Sequence, residues 1–310
     1  MPPSTHILVL AGGPDAERDV SITGATYVAN ALRASPEFDV QFVTIDRITP
    51  DELRAHRADV IFPVFHGGYG EGGPLQDILE ADGRPFVFSK ASASRLAIDK
   101  IATKMAALSI GIPTPAAHIL DLRDPVSPLP FPVIIKPIHE GSTVGLHVVR
   151  DRAQWDAAIR TIQAEPASLH RAYMIEPMIT TPTGPRELTV GVLDGRALPI
   201  IEITPASGLY DYEAKYTRND TLYTLDPHLP PGLAEIISQH AEALFRRIGA
   251  RHVARADFML EASGTPWLLE INTIPGFTDH SLVPKAAAHA GIGMPELCAR
   301  LVRMAQRDHA

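Results

Sequence analysis

The chain has 310 residues, which favours two or three domains around a shared cleft over one continuous core. Its net charge of -8 argues against a nucleic-acid partner, because phosphate backbones are bound by concentrated basic surfaces. The single cysteine, Cys298, excludes an intrachain disulfide and is typical of a reducing compartment. The apolar run at residues 7–10 is too short for a signal peptide, and no run reaches membrane-spanning length. We therefore expect a soluble cytoplasmic protein with no nucleic-acid or membrane partner.

The first 90 residues alternate short apolar runs with amphipathic stretches, which predicts a parallel α/β domain over residues 1–97. Two glycine-rich loops, at residues 12–13 and 66–73, follow predicted strands. In such domains ligands gather at the carboxyl ends of the strands, so both loops are candidate binding elements.

The rest of the chain predicts two smaller α+β units, over residues 98–180 and 181–310. One long helix is expected from about Ala91 to Ser109, where glycine and proline end it. A hairpin is expected with strands at residues 188–192 and 197–203. The polar, tyrosine-rich stretch at residues 204–231 lacks periodicity and is typical of a lid.

A second predicted hairpin pairs residues 255–260 with residues 267–272. The two-residue period of a strand places Glu270 and Asn272 on one face, where Asp257 of the partner strand joins them. These oxygen donors suit Mg²⁺ shared with substrate phosphates better than zinc. Taken alone, the pattern also fits a solvated strand face with scattered acids.

Lys136 ends a predicted strand and precedes a small-residue loop at residues 140–145 whose backbone N–H groups are placed to bind phosphate. The lysine precedes the glycines, so this is not a Walker loop, and alone it would fit an ordinary hairpin. Combined with the acidic hairpin, it indicates a nucleoside triphosphate site. Lys100 is a second candidate for the phosphates, with a solvated helix lysine as the alternative.

Three carboxylates have two interpretations each. Glu176 and Glu187 fit either contacts with a nucleoside or structural salt bridges. Glu17 follows the Gly12-Gly13 turn, where it would repel a phosphate. It therefore suits an ammonium-bearing substrate, or it favours the dipole at the N-terminus of a helix.

Six motifs follow one another along the chain: Lys100, Lys136, residues 140–145, residues 210–216, residues 255–257 and residues 270–276. In this order they make the chain resemble the D-alanine:D-alanine ligase family of the ATP-grasp superfamily essentially from end to end. The resemblance implies a parallel N-terminal α/β domain followed by a two-part ATP-grasp fold. Residues 12–21, 66–72 and 281–284 add further family-like segments.

The resemblance implies that ATP phosphorylates the carboxylate of one D-alanine and that the amine of a second D-alanine attacks the acylphosphate. The product, D-alanyl-D-alanine, serves peptidoglycan precursor synthesis. Two Mg²⁺ ions, with Mn²⁺ as an alternative, would be held by Asp257, Glu270 and Asn272. Family members are commonly homodimers, so a homodimer is expected.

Individual residues take roles by the same resemblance. Ser142 and Tyr216 would link Glu17 to the lid, while Arg255 and the Gly276 N–H would form an oxyanion hole. The implied catalytic residues are Glu17, Ser142, Tyr216, Arg255 and Gly276. The implied amino-acid contacts are Glu17, His66, Arg255, Gly276, Ser281 and Leu282. The implied ATP contacts are Lys100, Lys136, Glu140, Gly141, Ser142, Thr143, Glu176, Met178, Ile179, Glu187 and Lys215.

Two positions depart from the family pattern: Gly72 replaces an aspartate, and Met178 replaces an aromatic residue beside adenine in some relatives. Two other functions stay open on sequence grounds. One is a ligase that joins D-alanine to a hydroxy acid or to another amino acid. The other is a nucleotide-binding sensor without catalysis, which the intact set of Arg255, Asp257, Glu270 and Asn272 disfavours.

Overall fold

The computed structural model describes residues 4–169, 171–181, 186–206 and 220–309. They form a parallel sheet and two antiparallel sheets with helices packed against them, which confirms the predicted mixed α/β and α+β class. Within these residues, no helix has the length and apolar character needed to span a bilayer.

The N-terminal sheet contains three parallel strands, β1 (Thr5–Gly12), β2 (Phe38–Ile45) and β3 (Val60–Phe65), in the order β2-β1-β3. The central strand β1 is almost fully buried because its residues are apolar on both faces. Four helices belong to this region: α1 (Arg18–Arg33), α2 (Pro50–Ala55), α3 (Gly67–Glu71) and α4 (Pro74–Asp82). Glu17 lies at the N-cap of α1, one residue outside the first turn in which the sequence suggested it.

The expected long helix over residues 91–109 is wrong, because the structure has two helices, α5 (Ala91–Ile98) and α6 (Lys100–Leu108). Asp99 adopts an extended backbone and its side chain accepts a hydrogen bond from the Ala102 N–H. Asp99 therefore acts as an N-cap in the middle of an otherwise helical pattern. The break places Lys100 at the start of α6, where its backbone N–H bonds to the Ile138 carbonyl beyond Lys136.

The second sheet is antiparallel and has the order β4-β7-β5-β6. Its strands are β4 (His118–Ile119), β5 (Val133–Pro137), β6 (His147–Val149) and β7 (Tyr173–Pro177), and α7 (Arg152–Gln163) follows β6. Trp155 of α7 is buried against β5 and β7, and the side chains of these elements form a separate hydrophobic core. The loop at residues 138–146 connects β5 to β6.

The strands of the third sheet are β8 (Arg186–Leu193), β9 (Arg196–Ala197), β10 (Ile201–Thr204), β11 (Leu222–Leu225), β12 (Val253–Leu260) and β13 (Pro266–Asn272). Their order is β11-β10-β8-β12-β13, with β9 paired to β8. The hairpin predicted over residues 188–203 has its second strand divided in two, because β9 and β10 pair separately with β8. The remaining helices are α8 (Leu233–Arg247), α9 (Leu282–His289) and α10 (Met294–Arg307).

The two faces of this sheet have different partners because its strands alternate. Ala254, Ala256 and Phe258 of β12 belong to the core that β8 and α8 share. The intervening residues Arg255 and Asp257 point to the other face, toward the second sheet. Cys298 is buried in α10, where burial raises the pKa of its thiol to about 12.

Candidate active site

Two adjoining cavities lie between the three sheets and share residues that include Arg255 and Glu270. We refer to them, after the ligands that the sequence predicts for their residues, as the nucleotide cavity and the amino-acid cavity. The nucleotide cavity is lined by Lys100, Lys136, Glu140, Gly141, Thr143, Glu176, Met178, Ile179, Glu187, Arg255, Asp257, Glu270 and Leu282, among others. The amino-acid cavity is lined by Glu17, His66, Glu71, Gly141, Ser142, Arg255, Glu270, Asn272, Gly276, Ser281 and Leu282, among others.

Every site residue suggested by the sequence, except two, therefore lines one of these cavities. The exceptions are Lys215 and Tyr216, which lie outside the described residues, as do residues 207–219 of the suggested lid. Their roles stay predictions.

The acidic hairpin has the register that its alternation predicts. Asp257 pairs with Glu270, and Arg255 pairs with Asn272, so all four side chains share one face of the β12–β13 pair. A β-bulge follows at once, because Phe258 pairs with Leu268 and leaves Leu269 as an extra residue that lines the nucleotide cavity. Bulges of this kind redirect side chains and are common beside active sites.

Cations from the protein already neutralise both hairpin carboxylates. Arg255 donates from Nε to Asp257 Oδ1 at 2.9 Å and from a terminal nitrogen to Oδ2 at 2.8 Å. Lys100 Nζ lies 3.1 Å from Glu270 Oε2. Thr189 on the neighbouring strand β8 adds a hydrogen bond to Asp257 at 2.6 Å. Without such positive charge, two facing carboxylates would repel each other.

The donor set fits a hard divalent cation. Asp257 and Glu270 supply two carboxylates, and a third oxygen can come from Asn272, whose Oδ1 accepts from the Ile274 N–H at 2.8 Å. Among the residues that the structure describes, no three His, Cys, Asp or Glu side chains cluster as a metal site. An ion here would thus depend on the amide and on oxygens from a substrate, as is usual for Mg²⁺ bound with phosphates.

The loop between β5 and β6 has an unusual backbone. Ser142, Thr143 and Gly145 all have positive φ angles, of 52°, 63° and 69°. This conformation is costly for residues with a side chain, and strained backbone of this kind clusters at functional sites. A side chain at Gly145 would also bring its Cβ within 2.9 Å of the Pro137 ring, so only glycine fits there. Lys100 Nζ donates to the Glu140 carbonyl at 2.5 Å and ties this loop to α6.

At the far end of the nucleotide cavity, the buried Glu176 pairs with two lysines. Lys136 Nζ lies 2.5 Å from Glu176 Oε1, and Lys104 Nζ lies 2.7 Å from Oε2. Burial alone would raise the pKa of Glu176, but the charges of Lys136 and Lys104 outweigh it and lower the pKa. Burial also lowers the pKa of Lys104 to about 8, although Glu176 opposes this shift.

The amino-acid cavity contains two hydrogen-bonded pairs of side chains. Ser142 donates from its hydroxyl to the Glu17 carboxylate, which joins the β5–β6 loop to the N-cap of α1. His66 Nδ1 lies 2.7 Å from Glu71 Oε1, with His66 buried and Glu71 partly buried. Burial alone would lower the pKa of His66, but the hydrogen bond to Glu71 and its charge raise the pKa instead. His66 Nε2 is buried and has no hydrogen-bond partner among the described residues.

The loop after β13 closes the amino-acid cavity. Ser281 Oγ accepts from the Thr278 N–H at 2.9 Å, which holds residues 278–281 in a tight turn. A Cβ added at Gly276 would lie only 2.7 Å from Ser281 Oγ, so the glycine permits this close approach. Phe277 also lines this cavity, and its ring packs into a buried aromatic cluster with Phe62 and Phe88.

Three residues that contact the site were missed by the sequence reasoning: Glu71, Lys104 and Thr189. Glu71 lies in the noted glycine loop, so its position beside His66 was a usable signal. Lys104 falls one helical turn after Lys100, which places both on one face of α6. Thr189 has no such signal, because its contact with Asp257 depends on strand pairing far apart in sequence.

Comparison with known proteins supports the assignment that the geometry suggests. The family model described as D-ala D-ala ligase C-terminus matches residues 120–303. A D-alanine--D-alanine ligase from Anaeromyxobacter sp. (strain Fw109-5) is 40% identical over 306 residues, which cover 96% of this chain and 95% of that protein. Two crystal structures of D-alanine--D-alanine ligase from Bacillus anthracis also align with the fold. One is 30% identical, covers 99% of each chain and gives a TM-score of 0.85. The other, complexed with ATP, is 29% identical with a TM-score of 0.83 over 99% of this chain and 98% of its own. The chain belongs to the D-alanine--D-alanine ligase family.

Proposed function

We propose that this protein uses ATP to join two D-alanine molecules through an acylphosphate, and so supplies D-alanyl-D-alanine for peptidoglycan precursors. The observation that carries the proposal is the junction of the two cavities. Arg255 and Glu270 line both of them, so a phosphate chain in one meets an amino-acid carboxylate in the other. Close placement of two reactants supplies much of the catalysis in phosphoryl transfer.

The nucleotide cavity has the chemistry that ATP requires along its length. Glu176, Met178 and Ile179 line one end of this cavity, where they would offer an acceptor and apolar contacts to the base, and Glu187 would bind the ribose. Lys100, Lys136 and the backbone of residues 140–145 supply positive charge and N–H donors for the phosphates. Lys215 and Thr143 complete the proposed nucleotide contacts, the former by resemblance alone.

In the amino-acid cavity, Glu17 would bind the ammonium group of the first D-alanine, while His66 Nε2 would donate to its carboxylate. Ser142, and by resemblance Tyr216, would hold Glu17 in place and exclude water from the acylphosphate. Arg255 and the Gly276 N–H would stabilise negative charge on the carbonyl oxygen during attack by the second amine. Ser281 and the Leu282 N–H, at the start of α9, would bind the second carboxylate.

Asp257, Glu270 and Asn272 would hold two Mg²⁺ ions, or Mn²⁺ in their place. When bound, the ions neutralise the phosphates and allow a carboxylate to approach them. Arg255 and Lys100 would then exchange their present carboxylate partners for substrate oxygens. We further propose that the protein acts in the cytoplasm as a homodimer.

Product analysis tests the function. The purified protein with ATP, MgCl₂ and D-alanine should form ADP, phosphate and D-alanyl-D-alanine in equal amounts. Parallel reactions with D-alanine plus D-lactate or D-serine distinguish the dipeptide ligase from one with another second substrate. ATP binding without turnover on any of these would support a sensor and contradict the ligase.

A further inference from the structure

Glu176 has two lysine partners that differ in what else they contact. Lys136 lines the nucleotide cavity and is 8% exposed, whereas Lys104 is 3% exposed. Apart from its 2.7 Å contact with Glu176, Lys104 Nζ donates to Thr114 Oγ1 at 2.9 Å and to the Pro115 carbonyl at 3.0 Å. Thr114 and Pro115 thus accept two of the three N–H donors of the ammonium, while Glu176 Oε2 faces it as an ion pair outside hydrogen-bond geometry.

Lys104 is also linked to the acidic hairpin through Thr114. Thr114, which accepts from Lys104, donates its own hydroxyl hydrogen to the Leu268 carbonyl on β13 at 2.9 Å. The ammonium therefore connects α6, the segment after it and β13 through buried hydrogen bonds, and β7 through the ion pair with Glu176. Because Lys104 is buried and does not line the nucleotide cavity, it can act on a nucleotide only through Glu176.

Lys136 has the opposite character, because its proposed role requires it to move. To contact a phosphate, its ammonium must leave Glu176 Oε1, which it approaches to 2.5 Å. If Lys136 were the sole counter-ion of Glu176, that departure would leave a buried carboxylate uncompensated, which is strongly unfavourable. Lys104 keeps its ion pair with Glu176 whether Lys136 contacts Glu176 or a phosphate.

We propose that Lys104 is a positioning residue that serves as the permanent counter-ion of Glu176 and thereby frees Lys136 to bind the phosphates of ATP. This inference rests on the proposed function, because it assigns nucleotide to this cavity. It follows that neutralising Lys104 traps Lys136 on Glu176 and weakens ATP binding, even though Lys104 itself does not contact ATP.

The charge environment of Lys104 gives the proposal a pH signature. The charged groups that influence it are Glu176 on β7, Lys136 on β5 and Lys100 on its own helix. Burial is the largest effect and lowers the pKa of Lys104 to about 8. Deprotonation above that pH would remove the permanent counter-ion, so affinity for ATP should fall as pH rises through this value.

Calorimetric titration with ATP and MgCl₂ tests the proposal on the whole protein, its Lys104→Met and Glu176→Gln variants, and the double variant. At about pH 7.5, Lys104→Met should raise the Kd for ATP about tenfold or more. In the Glu176→Gln background, which has no carboxylate to compensate, the same substitution should change Kd less than about twofold. Equal effects in both backgrounds, or a Kd for Lys104→Met close to that of the unaltered protein, would overturn the proposal.

The pH dependence of ATP binding supplies a second test, and its first outcome requires only the unaltered protein. The Kd of this protein for ATP should rise between about pH 7.5 and 9.5, where ATP itself no longer titrates. A flat profile, or a rise that Lys104→Met retains, contradicts the proposal. If the unaltered protein forms dipeptide but the effects of Lys104→Met and Glu176→Gln on the Kd for ATP are additive, only this inference fails. If the unaltered protein does not bind ATP at all, the proposed function fails with it.

Discussion

Asp257 and Glu270 lie directly opposite each other on adjacent antiparallel strands, and each is held by a cation from elsewhere in the site. Paired positions on antiparallel strands place their Cβ atoms about 5 Å apart, close enough for both carboxylates to bind ions in one cluster. Arg255 and Lys100 thus occupy the positions where positive charge is needed, and both also line the nucleotide cavity. The sheet fixes the carboxylates while the cations around them can exchange.

Replacing Glu270 by Gln should reduce kcat about 100-fold to 1,000-fold while changing the free energy of unfolding by less than about 1 kcal/mol. The side chain is partly exposed to the cavity, so its charge serves the site more than the core. Steady-state kinetics and urea denaturation measure the two effects. Glu261→Gln, at the turn of the same hairpin, is the matched control and should be nearly neutral in both. Equal losses of activity and stability in Glu270→Gln would show that Glu270 is structural.

Replacing Glu71 by Gln should move the pH dependence of D-alanine binding to lower pH. Glu71 raises the pKa of His66, so its loss lowers that pKa and reduces the protonated fraction of His66 at neutral pH. In the unaltered protein, KM for D-alanine should increase as pH rises through the pKa of His66. In Glu71→Gln this increase in KM should begin at lower pH, whereas in the exposed control Glu235→Gln it should begin at the same pH as in the unaltered protein. If the midpoint of the KM increase lies at the same pH in all three proteins, His66 is excluded as the titrating group.

Replacing Gly276 by Ala should impair catalysis more than folding. The new methyl group would lie 2.7 Å from Ser281 Oγ and would displace the turn that precedes α9. We expect kcat/KM for D-alanine to fall by about two orders of magnitude, because an active-site group is misplaced by about an ångström. Gly293→Ala is a suitable control, since its nearest neighbour would be 4.0 Å from the new Cβ. Unchanged kinetics in Gly276→Ala would remove this loop from the catalytic site.

Replacing Phe277 by Ala should lower the free energy of unfolding by about 3–5 kcal/mol, as is usual for a large aromatic residue removed from a core. Phe277 is fully buried, and its ring packs edge-on against Phe62 of the parallel sheet and against Phe88. Urea denaturation measures the loss, and Leu222→Ala provides an exposed control with an expected change under about 0.5 kcal/mol. A small effect in Phe277→Ala would mean that packing of this cluster does not stabilise the loop after β13 against the N-terminal sheet.

Local pattern was sufficient to predict the elements that carry the site, but not the contacts between them. The alternation around Glu270 fixed its face and its partner Asp257, because strand periodicity is a local property. The helix break at Asp99 was missed, since its cap replaces helical hydrogen bonds only when α6 packs beside the β5–β6 loop. The pairing of Glu176 with Lys104 and Lys136 was also out of reach, because three separate elements must meet before these buried charges become neighbours.

In the proposed reaction, one carboxylate oxygen of the first D-alanine attacks the γ-phosphate and ADP departs; that oxygen then leaves with inorganic phosphate when the second amine attacks the acyl carbon. The most direct test uses D-alanine labelled with ¹⁸O in both carboxylate oxygens, followed by mass spectrometry of the phosphate released. An acylphosphate route transfers one labelled oxygen to each phosphate and leaves the other in the new amide. Dipeptide formed with unlabelled phosphate would contradict this account of the reaction.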